Sequence, residues 1–591
     1  MKIEAQEALG YHGGTNPGKI GIRVTKPVRS QRDLSLAYTP GVAVPCREIY
    51  ANPAAAFEYT AKRNLVAVVS NGTAVLGLGD IGPLAAKPAI EGKAVLFNLF
   101  GGVDAIDIEI DGQDPGAFCE TVRRISPTFG GINLEDIRSP DCFAIERELQ
   151  KTLSIPVFHD DSRGTALLVN AALLNALELT GRDARAVSIV ISGTGAGAIA
   201  TAELLLQFGV PRGNIVLCDS RGVVRSDNPR LAERPYLAPF ATDLKLTTLE
   251  DALRGADVLI GLSVGGLVSS AMVTRMKQPA IVFALANPDP EISPHEVLAA
   301  CKDAIVATGR SDYPNQINNV LGFPFLFRGA LDVQATMINV PMMMATARAL
   351  AEMARTEVPE RVLRAYGFSE LRFGPEYLLP KPFDPRLASV IAPAVARAAM
   401  ESGTAGKPIP DFAAYSGGLQ SRQSAYEVPL PLLPTDNAYY SCFISYSHAD
   451  TEFVARLSDD LERRGIPCWL DEKQMKPGMD LYHQVNENVR RNERVLLCAS
   501  RSSLRSWWVD AEIAIAVEQE RQITQRAGQA ATKIIPLNLD GYMFSEEWTS
   551  QWAPLLRRRF AADFSDSGRY ERELERLISA LRRHISVAGG G

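Results

Sequence analysis

The 591-residue sequence predicts an α/β protein built from parallel-sheet layers. Three observations carry this. From about residue 165, short apolar β-branched runs alternate with longer helix-like segments. One such run, 187–192 (VSIVIS), passes straight into Gly193-Thr-Gly195-Ala-Gly-Ala198 and then an apolar helical stretch. After residues 403–437, rich in Gly, Pro, Ser and Gln, the alternation starts again with a fresh set of short strands. The expected layout is an N-terminal α/β domain at 1–163, a Rossmann-type doubly wound parallel sheet at 164–405, a linker at 406–437 and a flavodoxin-like unit at 438–586.

The elements follow in order. Residues 1–60 are mixed, with turn punctuation at Gly13-Gly14 and Thr39-Pro40-Gly41. Segment 64–70 (NLVAVVS) reads as a buried strand and 93–97 (KAVLF) as a second. Segment 105–110 (AIDIEI) alternates with a period near two and reads as a third. Residues 165–180 predict a long helix. Strand-like runs recur at 187–192, 215–218, 258–262, 280–284 and 304–307. Beyond the linker, strands are expected at 441–445, 466–470, 494–500 and 533–538, with a helix at 451–464, a turn at Pro477-Gly478 and a helix running through Glu518.

Composition narrows the function. With 46% hydrophobic and 22% charged residues the chain is ordinarily globular. The balance of 62 basic against 68 acidic residues offers no cationic surface for nucleic acid or an anionic membrane. Eight cysteines without a CxxC pair suggest neither a disulfide framework nor a zinc site. The N-terminus lacks a signal-peptide pattern and no apolar run reaches bilayer length, so a soluble cytoplasmic protein is expected.

The glycine-rich turn is the strongest single chemical signal. It follows a strand, opens a helix, and has Asp219 at the end of the next strand, the context of a dinucleotide fingerprint. Gly193, Gly195 and Ala198 let backbone approach a pyrophosphate at a helix N-terminus. Asp219 is placed to bond a ribose hydroxyl. Ser220 and Arg221 follow it, and an arginine there suits a 2′-phosphate, so the reading leans to NADP with NAD open. A second glycine series, Gly77-Leu-Gly79-Asp-Ile-Gly82, runs into Pro83 and reads as a tight active-site loop.

Carboxylates cluster at Glu135-Asp136 and at His159-Asp160-Asp161. Neighbours on a strand point to opposite faces, so both members of a pair reach one ion only from a turn or strand end. Three carboxylates suit octahedral Mg²⁺ or Mn²⁺; a solvated acidic turn is the commoner fate of such a pair.

Together Ala37-Tyr38-Thr-Pro-Gly41, Ser70-Asn-Gly72, Gly77–Gly82, Gly130–Asp136, Phe158-His-Asp-Asp161, Gly164-Thr165 and Ser311-Asp-Tyr-Pro-Asn-Gln-Ile-Asn-Asn319 resemble the bacterial malic enzymes over roughly residues 10–405. The resemblance implies oxidative decarboxylation of L-malate to pyruvate and CO₂ with NADP or NAD and a divalent metal. It implies Glu135, Asp136 and Asp161 as metal ligands and Lys93 as the base for the C2 hydroxyl, which calls for a lowered pKa. Asp160 is then the partner orienting Lys93, and Lys87 the nearest rival base. Tyr38 resembles the acid that protonates C3. Asn287, Asn318 and Asn319 resemble amides near malate or the nicotinamide. The stretch Asn71-Gly-Thr-Ala74 lacks the arginine that larger relatives use for the malate carboxylate.

Past the linker, Phe443-Ile-Ser-Tyr-Ser447-His-Ala-Asp450, Gly465-Ile-Pro-Cys-Trp-Leu-Asp471, Pro477-Gly478 and Ser506-Trp-Trp-Val-Asp-Ala-Glu512 resemble a bacterial TIR domain over about 440–585. Many such domains split NAD⁺ at the nicotinamide–ribose bond, and the resemblance puts the catalytic glutamate at Glu512. Loop 471–481 resembles the mobile loop over that site, with Phe443, Ser447 and Trp508 as pocket walls. The expected whole is a malic enzyme joined to a TIR module that hydrolyses NAD⁺ or signals by self-association in bacterial defence, working as a homo-oligomer. The alternative is a malic-enzyme-like sensor platform that controls the TIR module.

Overall fold

The computed structural model describes residues 5–12, 18–425 and 439–582, apart from 23, 27, 76, 367, 369, 441, 465, 467, 471–493, 528–531 and 560. The chain divides into two compact units, 1–428 and 429–591.

The first unit holds two sheets. Strands β1 (Leu65–Ser70), β2 (Asp104–Glu109), β3 (Gly131–Leu134) and β4 (Val157–His159) form an all-parallel sheet in the order β2-β1-β3-β4. Residues 93–97 are not a strand. They continue the Pro83–Gly101 helix, whose buried Ala86, Ile90, Ala94, Phe97 and Phe100 recur at three- and four-residue steps. The five-residue window KAVLF is too short to show that period, and Pro83 at the first helical position starts the turn. Strands β3 and β4, unclaimed by the pattern, end in the acidic clusters.

The second sheet comprises β5 (Ile189–Ser192), β6 (Ile215–Asp219), β7 (Gly222–Val223), β8 (Val258–Gly261), β9 (Ile281–Ala284) and β10 (Ile305–Thr308). Its order is β10-β9-β8-β5-β6-β7, parallel except for the β6–β7 hairpin. The order reverses beside β5, which places a crevice at the C-terminal ends of β5 and β8. The Thr165–Thr180 helix, buried almost all round, runs between the acidic turn after β4 and this sheet.

The expected linker is partly built into the first unit. Residues Phe412–Ala425 form a helix on the Arg386–Glu401 helix, with Leu419 buried, Arg397 stacked 4.1 Å from the Phe412 ring centroid, and Tyr415 donating to Asp332 at 2.8 Å. The Gly/Ser/Gln composition hid the apolar positions Phe412, Tyr415 and Leu419, spaced three and four apart. Residues 426–437 lie outside the described residues.

The second unit has a parallel sheet of β11 (Cys442–Ser445), β12 (Cys468–Leu470), β13 (Arg494–Ala499), β14 (Ile534–Asn538) and β15 (Ala562–Asp563), ordered β12-β11-β13-β14-β15. Helices Thr451–Arg463, Trp507–Ala527 and Tyr570–Leu581 accompany it. Among the described residues, no helix is long and apolar enough to cross a membrane.

Candidate active site

Parallel strands aim their C-terminal ends at one edge, and the acidic turns after β3 and β4 meet there. Glu135 N–H still donates to Val69 O (3.0 Å), extending β3 by one residue. Asp136 then turns back with φ +54°, a conformation aspartate tolerates better than most residues. Its N–H donates to Asp161 Oδ2 (2.7 Å), and its carbonyl accepts from Ala74 N–H (3.0 Å). One carboxylate oxygen from each of Glu135, Asp136 and Asp161 lies within 4.8 Å of the others. The strand-end alternative is therefore the one realised. Three hard oxygen donors this close fit a Mg²⁺ or Mn²⁺ ion.

Lys93 reaches this cluster from the Pro83–Gly101 helix. Its Nζ is 2.6 Å from Asp160 Oδ2 and 2.7 Å from Glu135 Oε1, and 4.6 Å from the Phe323 ring centroid. Burial by itself lowers the lysine pKa, but Asp160, Glu135 and Asp161 outweigh it, so the net shift is upward. The expected lowering is therefore absent from this arrangement of charges. Burial, reinforced by Asp161, pushes Glu135 well above the usual carboxylate range despite Lys93.

Asp160 is fully buried and begins a single π-helical turn, Asp160–Gly164, that leads into the long helix. A Cβ on Gly164 would sit 2.0 Å from Asp160 Oδ1, so only glycine leaves the aspartate this position. Asn319 Nδ2 donates to Asp160 O (3.2 Å) and Oδ2 (3.3 Å). Asn318 is used differently: its Oδ1 caps Val320 N–H at 3.0 Å. Lys87, the rival base, belongs to a separate group with Asp107 and Glu109. There, burial and the Asp107 carboxyl push Glu109 up to about 7. Tyr38 caps the Gln31–Ala37 helix and is 71% exposed; no described hydrogen bond joins it to the Lys93 cluster.

The glycine-rich turn lies alongside. Gly193 has φ +125°, and a Cβ there would meet Leu262 O at 2.3 Å, so glycine is required on two counts. The turn feeds the Ala196–Gln207 helix. A cavity of about 280 Å³ is lined by Gly195, Ala196, Gly197 and Ala198 together with Asp161 and Asn287. Fingerprint, metal-type carboxylate and amide thus face one space.

Sequence reading missed two residues here. Glu291, fully buried, accepts from Ser263 N–H (2.8 Å) and Ala286 N–H (3.0 Å), tying the loops after β8 and β9 and so setting Asn287. Arg234 bonds Asp219 Oδ2 (2.9 Å) and Thr194 Oγ1 (2.6 Å), while Arg221 contributes only its N–H to Asp219 Oδ1 (2.8 Å). Both lie in loops without a sequence pattern; only the fold brings them in. Ser220 sits exposed at the same turn.

In the second unit, Glu512 lies in the second turn of the Trp507–Ala527 helix and is 1% exposed, not a solvent-facing carboxylate. Phe443 is buried in β11. Ser447 N–H donates to Ser503 Oγ (2.8 Å), and Asp450 accepts from Ser500 Oγ (2.6 Å) and Ser503 Oγ (2.7 Å), locking the turn after β11 to that after β13. The Trp508 side chain and loop 471–481 lie outside the described residues.

A Rossmann-type sheet facing a lysine–carboxylate cluster defines the class. Comparison with known proteins supplies the family. Residues 17–150 match the malic enzyme N-terminal domain, 162–366 the malic enzyme NAD binding domain, and 442–578 the TIR domain. An NADP-dependent malic enzyme of Rhizobium meliloti is 54% identical over 71% of this chain and 55% of its own length. An NAD-dependent malic enzyme of the same organism is 52% identical over 69% and 53%. The chain thus spans about half the length of these curated relatives. The crystal structure of a malic enzyme from Pyrococcus horikoshii aligns with TM-score 0.65 and 39% identity, covering 78% of this chain and 98% of that one. The chain belongs to the malic enzyme family, and it carries a TIR domain after the malic enzyme region.

Proposed function

We propose that the first unit converts L-malate and NADP⁺ or NAD⁺ to pyruvate, CO₂ and the reduced dinucleotide, with Mg²⁺ or Mn²⁺ at Glu135, Asp136 and Asp161. The observation that carries this is the shared cavity: Asp161 of the carboxylate cluster and the fingerprint residues Gly195–Ala198 line one space. A dication held by Glu135, Asp136 and Asp161 would polarise the C2 oxygen and offset the carboxylate charge around Lys93, and a dinucleotide at Gly193–Ala198 would supply the hydride acceptor. Lys93 Nζ takes the C2 hydroxyl proton. Asp160 and Glu135 fix the amine in place, and Phe323 shields it from water. Asn319 holds Asp160, and Asn287 faces the cofactor side. Tyr38 is the donor of the C3 proton. The exposed apolar side chains around it, Leu34, Leu36 and Val44, support a homo-oligomer. Purified protein given malate, Mn²⁺ and NADP⁺ should form NADPH. Silence with both dinucleotides, with binding retained, would favour the sensor reading.

The TIR domain we read as an NAD⁺ hydrolase releasing nicotinamide and ADP-ribose with uptake of water. The burial of Glu512 supports it, because a carboxylate held away from bulk water stabilises developing positive charge at C1′ more strongly than one in solvent. Nicotinamide release should be lost in Glu512→Ala. Equal release in both proteins would leave a self-association role.

A further inference from the structure

The end of β6 raises a question that overall similarity leaves open, since NADP- and NAD-dependent relatives match this chain about equally. In a sheet of this kind the acid at that strand end lies at the adenosine ribose. To recognise an unphosphorylated ribose, its two oxygens accept from the 2′- and 3′-hydroxyls. Here both oxygens of Asp219 are already engaged, Oδ1 by Arg221 N–H and Oδ2 by the Arg234 guanidinium.

Arg234 is held on three sides. Nη1 donates to Asp219 Oδ2 (2.9 Å), Nη2 to Thr194 Oγ1 (2.6 Å) and Nε to Tyr236 Oη (3.0 Å). A guanidinium carries five N–H groups in a fixed fork, so two remain unclaimed among the described residues. The side chain is 35% exposed, and it bridges the pyrophosphate turn, through Thr194, to the ribose acid. A preorganised, partly exposed arginine at this point matches a phosphate on the ribose 2′-oxygen, and its ion pair with Asp219 offsets the charge that would otherwise repel that phosphate.

We infer that Arg234, rather than the adjacent Arg221, selects the 2′-phosphorylated dinucleotide. This rests on reading Gly193–Ala198 as a dinucleotide site. The test is binding as well as turnover, in the full chain. Adenosine 2′,5′-bisphosphate and 5′-AMP are titrated calorimetrically against wild type, Arg234→Gln and Arg234→Lys. Steady-state rates with malate and Mn²⁺ are then measured with NADP⁺ and with NAD⁺. The Gln variant should bind the bisphosphate about 10- to 150-fold more weakly, the range for a lost charge-assisted contact, with 5′-AMP held or tightened. Its kcat/KM for NADP⁺ should fall by a similar factor, while that for NAD⁺ holds or rises as Asp219 Oδ2 is freed. Lysine, charged but without the fork, should fall between. An equal loss for both dinucleotides, or no change in their ratio, overturns the inference. If wild type binds neither adenosine probe nor either dinucleotide, the dinucleotide reading itself fails, and the inference with it.

Discussion

Lys93 is the residue on which the proposed chemistry turns. Arginine there keeps the positive charge between Asp160 and Glu135 but does not give up its proton. Lys93→Arg should therefore remain folded while kcat falls by roughly 10²- to 10⁴-fold, as followed by NADPH absorbance beside a thermal melt. Glu109 offers a prediction in pH. Its folded pKa, about 7, lies above the ordinary 4.5, so between those values the folded protein holds a proton the unfolded chain has lost. Its contribution to stability is thus full below pH 4.5 and lost as pH rises through 7. Glu109→Gln has no such loss, so its melting temperature relative to wild type should climb between pH 5 and pH 8. A constant difference would refute the assignment. At this scale the sequence was informative where chemistry recurs: Lys93, Asp160, Glu135, Asp136 and Asp161 do meet in space. It was silent on Glu291 and Arg234, each tied to another loop, Glu291 to Ser263, 28 residues away, and Arg234 to Thr194, 40 residues away.

Among elements, strands were the easier to read. The runs 64–70, 215–218, 258–262 and 280–284 fall on β1, β6, β8 and β9 because central parallel strands are apolar on both faces. The misread segment 93–97 shows the limit of the same logic, since an apolar run of five fits a buried helix as well as a strand. The helix at Phe412–Ala425 escaped for the opposite reason: its polar composition masked a narrow apolar stripe that tertiary packing completes. That helix carries its own test. Leu419 is 3% exposed, and Leu419→Asp puts an unpaired charge in the contact. The variant should melt several degrees lower, an effect of roughly 2–4 kcal/mol, while nicotinamide release by the TIR domain stays unchanged.

For the whole molecule, the two proposed chemistries should separate cleanly by mutation. Asp161→Asn should raise the Mn²⁺ needed for half-maximal NADPH formation by roughly tenfold or more and leave nicotinamide release untouched. Glu512→Ala should do the reverse. A variant that silences both activities, with each unit still folded, would show that the units depend on one another. Neither result follows from the fold alone, because a Rossmann-type sheet and a TIR sheet each support many functions.

The buried carboxylate cluster has a thermodynamic corollary. Burial and the neighbouring Asp161 hold Glu135 above the usual carboxylate range, so the metal-free site keeps its proton to higher pH than a free carboxylate does. A dication held by Glu135, Asp136 and Asp161 would compete with protons for these carboxylates, so its capture would be an exchange reaction. Affinity for Mn²⁺ should weaken as the medium is acidified. The calorimetric heat of binding should also vary with the ionisation enthalpy of the buffer, which counts the protons released.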